Sequence, residues 1–61
     1  MEWTVFTIRD GWGKTHPAIS KENAFWQAGY FWDSGEYEQV AVKRKGVCVF
    51  FRRQKWSTRA N

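Results

Sequence analysis

The chain has 61 residues, a formal net charge of +4, one Cys, one His, and an aromatic set of five Trp, five Phe and two Tyr. That length allows a single domain, and one Cys with one His excludes both a disulfide framework and a four-ligand structural zinc site. No cofactor or metal is expected.

The first strand is expected at residues 2–9, Glu-Trp-Thr-Val-Phe-Thr-Ile-Arg, which are rich in β-branched and aromatic residues. Asp10-Gly11 followed by Trp12-Gly13 is a turn signal. Residues 14–19, with His16-Pro17, read as a loop, because the residue before a proline is pushed out of helical geometry. Ser20 then offers an N-cap and Glu22 an acid in the first turn. Ile19 is placed to staple onto Ala24. A helix is expected from about Lys21 to Trp32, closed by Asp33-Ser34-Gly35, although Gly29 weakens it by about 1 kcal/mol relative to Ala.

Tyr37–Arg44 and Val47–Gln54 flank Lys45-Gly46, a two-residue hairpin loop with Gly second. A regular ladder sets Arg44 opposite Val47, Val42 opposite Val49, Val40 opposite Phe51 and Glu38 opposite Arg53. Alternation then gives Val40, Val42, Val47, Val49 and Phe51 to the core, and Gln39, Ala41, Lys43, Cys48, Phe50 and Arg52 to the other face. The expected fold is α+β: one small domain over residues 1–54, β-α-β-β, with one helix packed on a three-stranded sheet, and a basic flexible tail over 55–61. The alternative is a small all-β SH3-like barrel, with Ala24–Trp32 as strand. A chain this short buries only about 60% of its unfolded surface, so most aromatics are expected in the core, each contributing about 150–250 Å². Self-association into a homodimer is a further way to complete such a fold.

The charge is unevenly placed. Residues 1–38 carry three bases and six acids, a net −3; residues 39–61 carry seven bases and no acid, +7, giving the overall +4. Such a block suits phosphate backbone or another anionic surface. The opening residues lack the pattern of a secretory signal, and no apolar run approaches the roughly 20 residues needed to span a bilayer. A soluble, cytoplasmic protein with no membrane partner is therefore expected.

Chemistry-bearing pairs are weak. Cys48 falls mid-strand and His16 in a loop, with nothing to join them, and Glu36 and Glu38 at a strand start suit solvation or salt bridges more than acid–base work. No enzyme activity and no catalytic residue are expected. Lys45–Phe50 resembles a six-residue segment of RNA-recognition and cold-shock domains. Val47 stands where that segment has an aromatic and Cys48 where it has Gly or Ala, so the resemblance assigns no family.

The expected function is non-enzymatic nucleic-acid binding. Lys43, Arg44, Lys45, Arg52, Arg53 and Lys55 would meet phosphates, and Phe50 and Trp56 would stack on unpaired bases. The alternative is a small phage-type adaptor or inhibitor docking on an acidic host protein, with Trp12, Trp26 and Trp32 as anchors.

Overall fold

A computed structural model describes residues 2–54. It contains β1 (Trp3–Arg9), β2 (Trp12–Ala18), α1 (Lys21–Asp33), β3 (Gln39–Arg44) and β4 (Val47–Arg53). The four strands form one antiparallel sheet in the order β2-β1-β3-β4. The α+β class and the single helix agree with the sequence; the sheet has four strands rather than three, and the order is β-β-α-β-β. The barrel alternative is overturned, because residues 24–32 are helical. The expected tail at 55–61, with Lys55 and Trp56, lies outside the described residues.

The missed strand is β2, whose residues 14–18 read as loop. Asp10 and Gly11 take positive φ values of 53° and 82°, a tight turn that matches the strand twist and folds Trp12 back onto Arg9. β2 is an edge strand, where proline is tolerated because its missing N–H can face away from the sheet. Pro17 pairs with Thr4, and its carbonyl accepts a bond from Gln27 Nε2 at 3.0 Å.

The second hairpin uses the same turn, with Lys45 at φ 51° and Gly46 at φ 83°. Arg44 opposes Val47 as expected, but the register then shifts. Lys43 pairs with Cys48 while Val42 pairs with Phe50, so Val49 is an extra, bulged residue. Beyond it Val40 opposes Arg52 and Gln39 opposes Arg53, in place of Val42–Val49, Val40–Phe51 and Glu38–Arg53. One extra residue exchanges the two faces of everything that follows. Phe50 and Arg52 therefore join Val40 and Val42, whereas Phe51 and Val49, expected in the core, are 52% and 50% exposed.

Helix α1 begins where Ser20 Oγ accepts the Asn23 N–H at 3.1 Å. Asn23 Oδ1 in turn accepts from Ile19 N–H at 3.2 Å and from Gln27 Nε2 at 2.9 Å. That polar clasp replaces the expected Ile19–Ala24 staple: Ile19 is 87% exposed, and Ala24 is buried against the sheet. Gly35, at φ 75°, closes the helix by donating to Trp32 O.

The core comprises Val5, Ala18, Ala24, Ala28, Val40 and Val42, with Thr7 buried beside them. It is built from small residues, which let the helix approach the sheet closely. The expectation that most aromatics form the core is corrected. None of the described aromatics is fully buried; Trp3, Phe31, Trp32, Tyr37 and Phe50 form a half-buried rim around the aliphatic centre.

Candidate nucleic-acid interface

The helix covers one face of the sheet, through its contacts with β1, β2 and β3. The other face carries the alternate residues. Phe6 lies across Gly13, where an added Cβ would stand 2.7 Å from Phe6 Cζ, so glycine makes room for the ring. Lys43 Nζ sits 4.8 Å from the centre of the Phe6 ring, a cation–π contact. Ala41 pairs with Phe6 on one side and Phe51 on the other. It is buried, although it lies on the face that no described helix covers. The result is a low point between two phenyl rings, about 10 Å apart across three strands. Arg53 follows Phe51 along β4, opposite Gln39. Among the described residues, the strand positions of this face from Thr4 to Ile8, Gly13 to Pro17, Gln39 to Lys43 and Phe51 to Arg53 include no acid.

The bulge divides the constellation that the sequence put together. Lys43 and Arg53 are on the uncovered face, and Phe50 and Arg52 are on the helix side. Phe50 meets Phe25 edge to face, with centroids 5.5 Å apart, and Arg52 lies 5.4 Å over the Trp32 ring. Phe50 is thus not flanked by Lys43 as expected. Its neighbour Phe51 is the ring that stands out beside the cations. Arg44 lies 5.8 Å from the Trp3 ring and binds Glu2 Oε2 through Nε at 2.6 Å. That bond and the guanidinium charge hold the Glu2 carboxyl below its usual range. Lys45 is exposed at the hairpin turn.

Between α1 and β4 runs a groove of about 360 Å³, walled by Phe25, Trp32, Phe50 and Arg52 and floored in part by Gly29. On the outer side of the helix Trp26 and Tyr30 stack at 5.7 Å and 11°, both exposed. Trp12 is 80% exposed at the start of β2, beside a depression that includes Arg9, Lys14, His16 and Tyr37. Trp32, expected with these two at an interface, is half-buried against the core and lines the groove beside Phe50.

His16 and Cys48 lie on β2 and β4, the two edges of the sheet. His16 Nε2 is 3.0 Å from Thr7 Oγ1 and its ring packs 4.5 Å from Phe31. Burial first, and Lys14 second, push its pKa below the usual value. Glu36 is bonded to Arg9 at 3.1 Å, which separates it in role from Glu38. Among the described residues no three His, Cys, Asp or Glu groups gather as metal ligands, and no helix is long and apolar enough to cross a membrane.

Phe6 and Phe51 were the residues that sequence reasoning missed. Phe6 was legible from alternation along β1, but its role needed the second hairpin beside it; Phe51 was hidden by a bulge that no residue type announces. Comparison with protein-family models, curated proteins and solved structures returned no match for this chain.

Proposed function

We propose that this protein is a non-enzymatic module that binds single-stranded nucleic acid on the uncovered face of its sheet. The observation that carries the reading is the acid-free pairing of rings and cations there: Phe6 and Phe51 flank the Ala41 low point, with Lys43 and Arg53 alongside. Unpaired bases stack on such rings at about 1–3 kcal/mol per base, without strong sequence preference. Lys43 and Arg53, with Lys45 at the turn, would neutralise phosphates; Arg44, over Trp3 on the helix side and bonded to Glu2, would contribute only from the end of the sheet. Lys55 and Trp56, outside the described residues, would add a cation and a ring next in the sequence. Phe50 and Arg52 have a supporting role in this reading, holding β4 against the helix.

Binding of labelled single-stranded and duplex oligonucleotides, measured across a salt series, tests it. Single strands are expected to bind more tightly than duplex, and Lys43→Ala and Arg53→Ala are each expected to reduce the salt slope by about 1. No binding at roughly 50 mM salt would sink the reading.

A second reading is favoured by a separate observation, the stacked and exposed Trp26–Tyr30 pair with Trp12 elsewhere on the surface. Exposed aromatics anchor protein interfaces, so a small adaptor or inhibitor acting on an acidic protein remains the alternative function. A partner retained from nuclease-treated lysate and lost in Trp26→Ala would favour it.

A further inference from the structure

The sheet ends in two unlike edges. β2 is blunted: Pro17 has no N–H to offer, and Gln27 covers its carbonyl. Among the described residues no strand pairs with the outer edge of β4, which is mostly apolar, with Val47, Val49 and Phe51 exposed, no proline, and charge only in its last two positions, Arg52 and Arg53. We propose that β4 pairs antiparallel with β4 of a second copy of this chain, centred on Phe51, to make one continuous eight-stranded sheet. This stands independently of the nucleic-acid reading.

The register follows from the ladder. Gln54 N–H donates to Glu38 O at 2.9 Å, toward β3. Alternation therefore turns the Arg52 amide toward β3 and those of Phe51 and Arg53 outward. A symmetric partner strand can use these outward groups in three ways. Arg53 opposite Arg53 sets like charges face to face. Phe51 opposite Arg53 does the same to Arg52 and its copy. Phe51 opposite Phe51 places Arg52 against Phe50 and Arg53 against Val49, so no cation faces a cation. Like charges directly opposite are destabilising, which selects the third. Parallel pairing fails on the same ground, since it aligns Arg52 and Arg53 with their own copies.

Symmetry then fixes the shape. A two-fold axis that relates antiparallel edge strands of one sheet stands perpendicular to that sheet. Both helices fall on one side and both uncovered faces on the other. The two Phe51 rings meet at the axis, with the Arg53 and Lys43 of each copy spread outward. The bulge at Val49 restricts the pairing to about four residues per strand. The buried area is then below the roughly 1,200 Å² of a tight complex, so dimerisation is expected only at high micromolar concentration.

Sedimentation equilibrium of the full chain without nucleic acid, at about 10 μM and about 500 μM, is expected to give monomer and then dimer. Phe51→Pro removes the outward N–H but leaves the β3 ladder intact, and Phe51→Lys sets two charges on the axis. Each is expected to weaken association at least about tenfold. A nitroxide on Cys48, three residues from the axis, should report a separation of about 20 Å in the dimer, against about 5 Å for parallel pairing. Monomer at both concentrations, dimers unaffected in folded variants, or a label distance far from about 20 Å would each overturn the proposal. If the variants fail to fold by circular dichroism, the label distance in the otherwise native chain decides.

Discussion

On the helix side of the sheet, Val5, Val40 and Val42 are wholly buried beneath Ala24 and Ala28. One residue on from Val5, Phe6 faces the other way, as does Phe51 on β4; among the described residues no helix or strand is laid over that face, and Lys43 rests on the Phe6 ring. The covered face uses its smallest apolar residues for closeness; the uncovered face keeps large rings at its surface. Close packing and exposed rings are thereby assigned to alternate residues of neighbouring strands. A substitution on one face should therefore leave the other's property largely alone.

The strongest way to break this comparison is to crowd the covered face. Ala28 lies in the helix–sheet contact, almost without exposure. Ala28→Leu forces extra methylenes into it and is expected to cost about 1–3 kcal/mol. In a domain this small that lowers the melting temperature by roughly 4–20 °C, read by circular dichroism. An unchanged melting temperature would mean that the helix is not closely seated.

The opposite test acts on the uncovered face. Phe51→Ala removes a half-exposed ring and is expected to change stability by less than about 1 kcal/mol. Its affinity for a single strand should fall about 5- to 150-fold, the equivalent of one lost base stack of about 1–3 kcal/mol. Phe50→Ala, one position away on the helix side, should show the reverse pattern, a stability loss with little direct effect on binding. Equal binding losses from both would erase the distinction between the faces.

Gly29 sharpens the comparison from the helix. It lies in the helix interior, and a Cβ added there would meet nothing within 4 Å. Gly29→Ala is expected to add about 1 kcal/mol of stability, raising the melting temperature by roughly 4–8 °C. If thermal melting shows no gain, the open side of the helix is more crowded than its geometry implies.

The two hairpins explain what could be read in advance. Lys45-Gly46 was legible because strong β formers flank it on both sides. Asp10-Gly11 makes the same turn, yet β2 was not seen, because Gly13, His16 and Pro17 carry no strand signal of their own. Pairing with β1 makes them a strand. The helix was legible through Ser20 and Glu22, which act locally. The candidate site was least legible, because its faces depend on one bulged residue, Val49. A bulge arises from packing between strands, and alternation along a single strand cannot reveal it. Charge segregation survives as a chain property but not as one surface, since Lys43 and Arg52 end on opposite faces.

The smallest expected effect comes from the edge of the covered face, at His16. Its folded pKa lies below the usual 6.5, chiefly because burial disfavours the imidazolium. The unfolded chain therefore takes up the proton more readily. The stabilisation from holding His16 neutral is fully present above pH 6.5 and declines as pH falls from there through the folded value. Glu2 has the same sign in a lower window: its folded pKa is below 4.5, so its contribution is kept above pH 4.5 and lost only beneath it. A melting series from pH 8 to pH 5 thus isolates the histidine. The native chain should lose stability across that span, and His16→Gln, which has no proton to gain, should follow a flatter line. Parallel lines would show that His16 titrates alike in the folded and unfolded chains, and that the rim around Phe31 is open to water.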